Sequence, residues 1–211
     1  MAKITLISLQ TKNNKRCNLF LDGEFYSGVS METVLKHRLK VGLEVSEKQL
    51  KEIITESEKV EALNKAVDYI SKRLKTKREV KDYLLKKGYS EEIAWYCVDK
   101  LKEYNYINDE EFSKRYIEST SKTQGKRLTQ YKLMMKGVKK EDIDLAYENV
   151  EIDQKKDAYL IAVKHFKNKE ATKENLSKTY RYLISKGFSY DEATFAIDKI
   201  KEDNDGEDFN V

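Results

Sequence analysis

Three copies of one short pattern constrain this chain more than any other feature. Lys87-Gly88-Tyr89, Lys136-Gly137-Val138 and Lys186-Gly187-Phe188 each read Lys, Gly, bulky apolar, and their glycines stand 49 and 50 residues apart. The match extends both ways without gaps. Leu84, Leu133 and Leu183 stand four before each glycine. Ala94, Ile143 and Ala193 stand six after, and Cys97, Ala146 and Ala196 nine after. Val98, Tyr147 and Ile197 follow at ten, and Leu101, Val150 and Ile200 at thirteen. Such offsets lay one apolar stripe along a helix. Five apolar columns in three copies mark an internal repeat, whose units stack so that each touches only its neighbours.

Each copy reads as three helices. In the first, Ala62 to Leu74 forms helix one, and Thr76-Lys77-Arg78-Glu79 is a capping box that opens helix two. Gly88 takes the left-handed cap, and Ser90 opens a third helix that ends near Tyr104. The second copy starts at Asn108-Asp109, and the third near Asp153, with Thr172 as a cap. Ahead of the repeats, residues 4–29 read as three short strands, with a turn over 12–15 and a hairpin at Asp22-Gly23. Ser30 caps a short helix through Leu39, and Ser46-Glu47-Lys48-Gln49 opens another. The expected fold is mainly α: tandem three-helix repeats in an elongated array, after a small N-terminal β-hairpin/three-strand region. Its segments are 1–58 (hairpin plus short helices), repeats at 59–107, 108–152 and 153–203, and an acidic tail at 204–211.

Composition agrees. The 211 residues include no proline, where average usage gives roughly ten. Proline costs about 3 kcal/mol inside a helix, so its absence suits closely spaced helices and argues against an all-β chain. No run approaches the roughly 18 apolar residues of a membrane span, and the N-terminus turns polar too soon for a signal peptide. Cys17 and Cys97 make neither a disulfide framework nor a metal cluster. A reduced, cytoplasmic monomer with no membrane partner is expected. His37 and His165 lie in no metal or triad motif, and no phosphate loop occurs. Asp203-Asn204-Asp205-Gly206 lacks the ligands that would complete a calcium loop. Cys97 shares a repeat column with Ala146 and Ala196, so it reads as core. No catalytic residue, metal or cofactor is expected, and the chain reads as a non-enzyme.

The net charge of +4 conceals an alternation. Residues 71–88 carry +6, 113–140 carry +8 and 164–187 carry +5, whereas 89–111 and 141–158 each carry −5. Helices one and two of each repeat are basic and helix three is acidic. Stacked in one sense, the repeats would present a basic ridge to a polyanion or to a partner with complementary stripes. An ordinary solvated helix surface is the plainer alternative.

Arg73 to Val80, continued by Leu84-Leu85-Lys86-Lys87-Gly88, resembles the first repeat of the RecX family of regulatory proteins. Leu101-Lys102-Glu103-Tyr104-Asn105-Tyr106-Ile107-Asn108-Asp109-Glu110-Glu111-Phe112 resembles that family's most recognisable segment. Gly125-Lys126-Arg127 and the helix end from Leu133 to Gly137 fit as well, and Asp22-Gly23-Glu24-Phe25 looks like the N-terminal extension of longer members. The tail after about residue 201 lies outside the resemblance. The resemblance implies a bacterial modulator that lies along the groove of the RecA–DNA filament and lowers RecA's ATPase, strand-exchange and co-protease activities. Its implied partners are the RecA nucleoprotein filament and single- or double-stranded DNA. The basic residues expected to make contact are Lys75, Lys77, Arg78, Lys81, Lys126, Arg127, Lys132, Arg181 and Lys186. A stand-alone DNA-binding helical-repeat protein is the competing reading. Against it, the third helices carry Glu91, Glu92 and Asp99, or Glu141, Asp142 and Asp144, and would be repelled from a major groove.

Overall fold

The structure is a computed structural model that describes residues 1–11 and 13–207. It divides into two compact units. One takes Met1–Leu74 and Glu79–Ile107; the other takes Lys75–Arg78 with the chain from Asn108 onward.

The first unit opens with β1 (Ala2–Gln10), β2 (Asn13–Leu21) and β3 (Glu24–Ser30). A two-residue strand, β4 (Glu44–Val45), adds to the three strands expected, giving the antiparallel order β3-β2-β1-β4. Strand β2 pairs from Asn13, opposite Gln10. Most of the expected turn over 12–15 is therefore strand, and residue 12 lies outside the described residues. The Asp22-Gly23 hairpin forms as read, with both residues at positive φ. Alternation puts Ile4, Cys17, Leu19 and Val29 on one face, where they are buried under Val34, Leu50 and Ile53. These come from α1 (Met31–Lys36) and α2 (Glu47–Ser71), the helical cover that a small sheet needs.

Ser30 caps α1 by accepting from the Thr33 amide, and Ser46 and Gln49 complete the expected capping box at α2. Helix α2 then departs from the reading. The helix opened at Ser46 and the first helix of repeat one are a single run of 25 residues. No glycine or proline falls between them, and buried Leu50, Ile53, Ser57, Ala62 and Ala66 keep one helical stripe across the join. Helices α3 (Lys77–Lys86) and α4 (Glu91–Glu103) follow. Val80, Leu84, Ile93, Ala94, Cys97 and Leu101 pack against Ala62 and Ala66 in a second core.

The second unit holds two further three-helix sets, α5 (Asp109–Thr120), α6 (Lys126–Met135) and α7 (Lys140–Glu148), then α8 (Gln154–Phe166), α9 (Lys173–Ser185) and α10 (Tyr190–Glu207). Each has its own core, around Ile117, Leu133 and Ile143 in one and Ala162, Leu183 and Phe188 in the other. Helix α10 runs seven residues past Ile200, the last repeat column, and residues 208–211 of the acidic tail lie outside the described residues.

The repeat signature has one structural cause. In all three copies helix two ends in a Schellman cap. The amides of Tyr89, Val138 and Phe188 donate to the carbonyls of Leu84, Leu133 and Leu183, and Gly88, Gly137 and Gly187 sit at positive φ. The invariant Leu–x–x–Lys–Gly–apolar string is the string that this cap requires.

Candidate interaction surface

The N-terminal turn of helix two in the second unit is bound in a way the sequence did not announce. Gly125 donates its amide to the Lys186 carbonyl at 2.9 Å, and Arg127 donates to the Gly187 carbonyl at 3.1 Å. The amide between them, on Lys126, donates to the Gln154 side chain at 2.9 Å. Three successive amides at this helix start are thus satisfied by the next helix set. A side chain at Gly125 would meet the Gly187 carbonyl oxygen at 2.5 Å, and one at Gly187 would meet the Leu128 amide nitrogen at 2.4 Å. Both positions need glycine because two backbones touch.

The segment Lys75–Arg78 repeats this joint in the same unit. Thr76 donates its hydroxyl to the Lys136 carbonyl at 2.7 Å. The Lys77 amide donates to the buried Asp109 carboxylate at 3.0 Å, with the Lys77 ammonium 3.7 Å from the other oxygen. A side chain at Gly137 would overlap the Arg78 stem. Asp109 and Gln154 take equivalent places, each the first residue of its helix.

These joints gather some of the expected basic residues and separate others. Lys77 and Arg78 lie with Lys136, and Lys126 and Arg127 lie with Lys186. The Lys126 ammonium sits over Tyr147 at 4.6 Å, the Arg127 guanidinium over Tyr190 at 5.5 Å, and the Lys186 ammonium over Tyr182 at 5.2 Å. Aromatic faces thus hold three of these cations in place. Lys75 is half-buried just before α3. Lys81 is engaged by the Glu91 carboxylate at 2.5 Å and lies over Trp95 at 4.5 Å. The Lys132 ammonium donates to the Gln124 side chain, and exposed Arg181 donates from Nε to the Ser177 carbonyl. Asp109 and Gln154 were missed by sequence reasoning, and the only available signal was their place as the first residue of helix one.

The acids of helix three have a local use. Glu91 and Glu92 open α4, and Glu141 and Asp142 open α7, where carboxylates favour the helix dipole. His165 stacks on Tyr182 at 4.1 Å and shares a hydrogen bond with Thr179. Burial, then the charge of Lys169, lowers its pKa, which favours a neutral ring. Burial in the first-unit core pushes the Cys97 thiol up to about 11, away from thiolate chemistry. Among the described residues no three metal-ligating side chains cluster, and no helix is long and apolar enough to cross a membrane.

Comparison with known proteins gives these features a setting. Residues 2–46 match the family model described as the regulatory protein RecX N-terminal domain, and residues 62–101 match RecX, first three-helix domain. The regulatory protein RecX of Clostridium beijerinckii is 38% identical over 95% of this chain and 96% of its own length. That of Clostridium tetani is 37% identical over 94% of both chains. That of Bacillus subtilis is 34% identical over 97% of this chain and 80% of its own. A crystal structure of regulatory protein RecX superposes with a TM-score of 0.73 at 27% identity, covering 94% of this chain and all of that one.

Proposed function

The chain belongs to the RecX family of regulatory proteins, and from that premise we propose that it binds the RecA–DNA filament and lowers RecA's activities in recombination and repair. The observation that carries the reading is the repeated joint. Each joint holds a basic entry turn against the next Lys–Gly cap, so Lys126 and Arg127 are held beside Lys186, and Lys77 and Arg78 beside Lys136. Two basic clusters built by the same joint suit an extended polyanion better than a single compact ligand. DNA phosphates and acidic protein surface in a helical groove provide such a partner.

The mechanism follows from multiplicity. Each contact is weak and exposed, but engagement of one cluster raises the effective concentration of the next. A regulator held this way bridges neighbouring RecA subunits and restrains the motions or exchange that ATP turnover drives. Lys75, Lys132 and Arg181 are further candidate contacts in the second unit, and Lys81 is one in the first. Direct binding to single- or double-stranded DNA belongs to the same reading, as does a cytoplasmic location.

The deciding experiment adds the protein at substoichiometric ratios to cognate RecA on single-stranded DNA and follows ATP hydrolysis. Inhibition is expected. Unchanged hydrolysis at every ratio would overturn the proposal.

A further inference from the structure

Two of the three Lys–Gly caps are occupied, and the third is open. Gly137 and Gly187 each receive the first turn of a helix, whereas nothing stands within 4 Å of a side chain built at Gly88. Lys87 and Gly88 are both exposed. The cap itself is formed identically, with the Tyr89 amide bonded to the Leu84 carbonyl at 3.2 Å. The side-chain acceptor of the joint, a carboxylate on Asp109 and an amide oxygen on Gln154, has a counterpart too. Asp109 stands four residues before buried Ser113, and Gln154 four before buried Ala158. Glu58 stands four before buried Ala62 on the corresponding helix, and it is exposed although α2 runs on past it. Glu58, Lys87 and Gly88 all belong to the first unit.

We infer that Glu58 and the Lys87–Gly88 turn form an open half-joint that receives the basic first turn of a helix from a partner protein. The two filled joints define the occupant. It begins with a residue that can bond the Lys87 carbonyl, as Thr76 and Gly125 bond Lys136 and Lys186. A lysine follows whose amide reaches the Glu58 carboxylate, then an arginine whose stem or backbone lies on the glycine. The acidic Glu58 complements this basic turn, as Asp109 complements Lys77.

Among the described residues the chain has no third copy of the occupant to offer. Lys75–Arg78 and Gly125–Arg127 are engaged within the second unit. The remaining helix two, α9, begins 14 residues before its glycine, against 11 for α3 and α6. Its start lies one turn out of register and is closed on itself. Thr172 accepts from the Asn175 amide, and the Asn175 side chain donates to the Glu170 carbonyl. A second copy of the chain therefore lacks a matching end, and the occupant comes from a different protein.

The test uses the full-length chain, labelled with nitrogen-15, and a capped synthetic peptide copying residues 121–137, which carry the native Gly-Lys-Arg turn. Saturable amide shifts are expected at Glu58, Lys87, Gly88 and Tyr89, with affinity near the millimolar range for an unstapled peptide. Glu58→Lys, at an exposed site, is expected to weaken binding at least tenfold with unchanged circular dichroism. Shifts absent at peptide saturation, or equal in the Glu58→Lys protein, would overturn the inference. So would self-association of the chain alone that moves the Gly88 amide, because the occupant would then be a second copy. The readout contains no RecA, so its outcome is separate from that of the proposed function.

Discussion

Glycine carries different duties at equivalent positions. Gly88 and Gly187 share the same φ of about +90°, but only Gly187 has backbone pressed against it. Left-handed backbone costs a non-glycine residue roughly 1–2 kcal/mol, and forced overpacking adds typically 1–3 kcal/mol. Gly88→Ala is therefore expected to cost only the first amount, and Gly187→Ala both, as the midpoints of urea unfolding will report. Equal losses would mean that the close approach to Leu128 is not held in solution. Neither difference is legible in the sequence, where both residues sit in the same Lys–Gly–apolar string. His165 makes a second case. Its folded pKa is lowered below the ordinary 6.5 by burial and by Lys169. The unfolded chain then binds more protons in that window, so the stabilising contribution is full above about pH 6.5 and is lost as pH falls through the folded pKa. Thermal melts between about pH 7.5 and 5 should show a larger loss for the natural protein than for His165→Phe.

Helices were the most legible elements because their caps are local. Ser30, Ser46, Ser90 and Thr172 each bond the amide three residues on, as their spacing announced. One start breaks the series. Repeats one and three open helix three with Ser90 and Ser189, but α7 has Lys139, which makes no side-chain cap bond. Lys139→Ser should therefore stabilise the protein by about 1 kcal/mol, read as a raised urea midpoint with an unchanged slope. The fusion of the Ser46 helix with the first helix of repeat one was less legible. A segment boundary at 58/59 with helix one starting at Ala62 implies a break there, and the other two repeats have one, where Asn108 and Asp153 supply caps. Nothing at 58 stops a helix, and the bond from the Ser30 amide to the Ser57 hydroxyl ties that stretch of α2 to the end of the sheet. The joints could not be read at all. Lys77 and Asp109 lie 32 residues apart, and Lys126 and Gln154 lie 28 apart. No local rule pairs a helix-start amide with a side chain at that distance.

For the whole molecule, the distribution of charge matters more than its sum. Lys126→Glu with Arg127→Glu replaces two cations whose side chains face solvent and Tyr rings. The double variant should keep its helical spectrum and lose most of the inhibition of RecA ATPase that the proposed function expects of the natural chain. Full inhibition would remove the joint clusters from the binding surface. Binding should also weaken by at least about tenfold between roughly 50 and 200 mM salt, since each neutralised phosphate releases a counterion. The sequence by itself determined the helical repeat, its period, the Lys–Gly caps that end helix two, several of the helix-start caps, the small sheet in front and the family. Each of these depends on neighbours within a turn or a strand, or on a pattern spread along the chain. Only the tertiary structure decided which cap receives which helix, which glycines are pressed by backbone, which lysines are held over aromatic rings, and that the first cap stands open. Those depend on contacts between residues far apart in sequence, where the same Lys–Gly string is buried in one copy and bare in another.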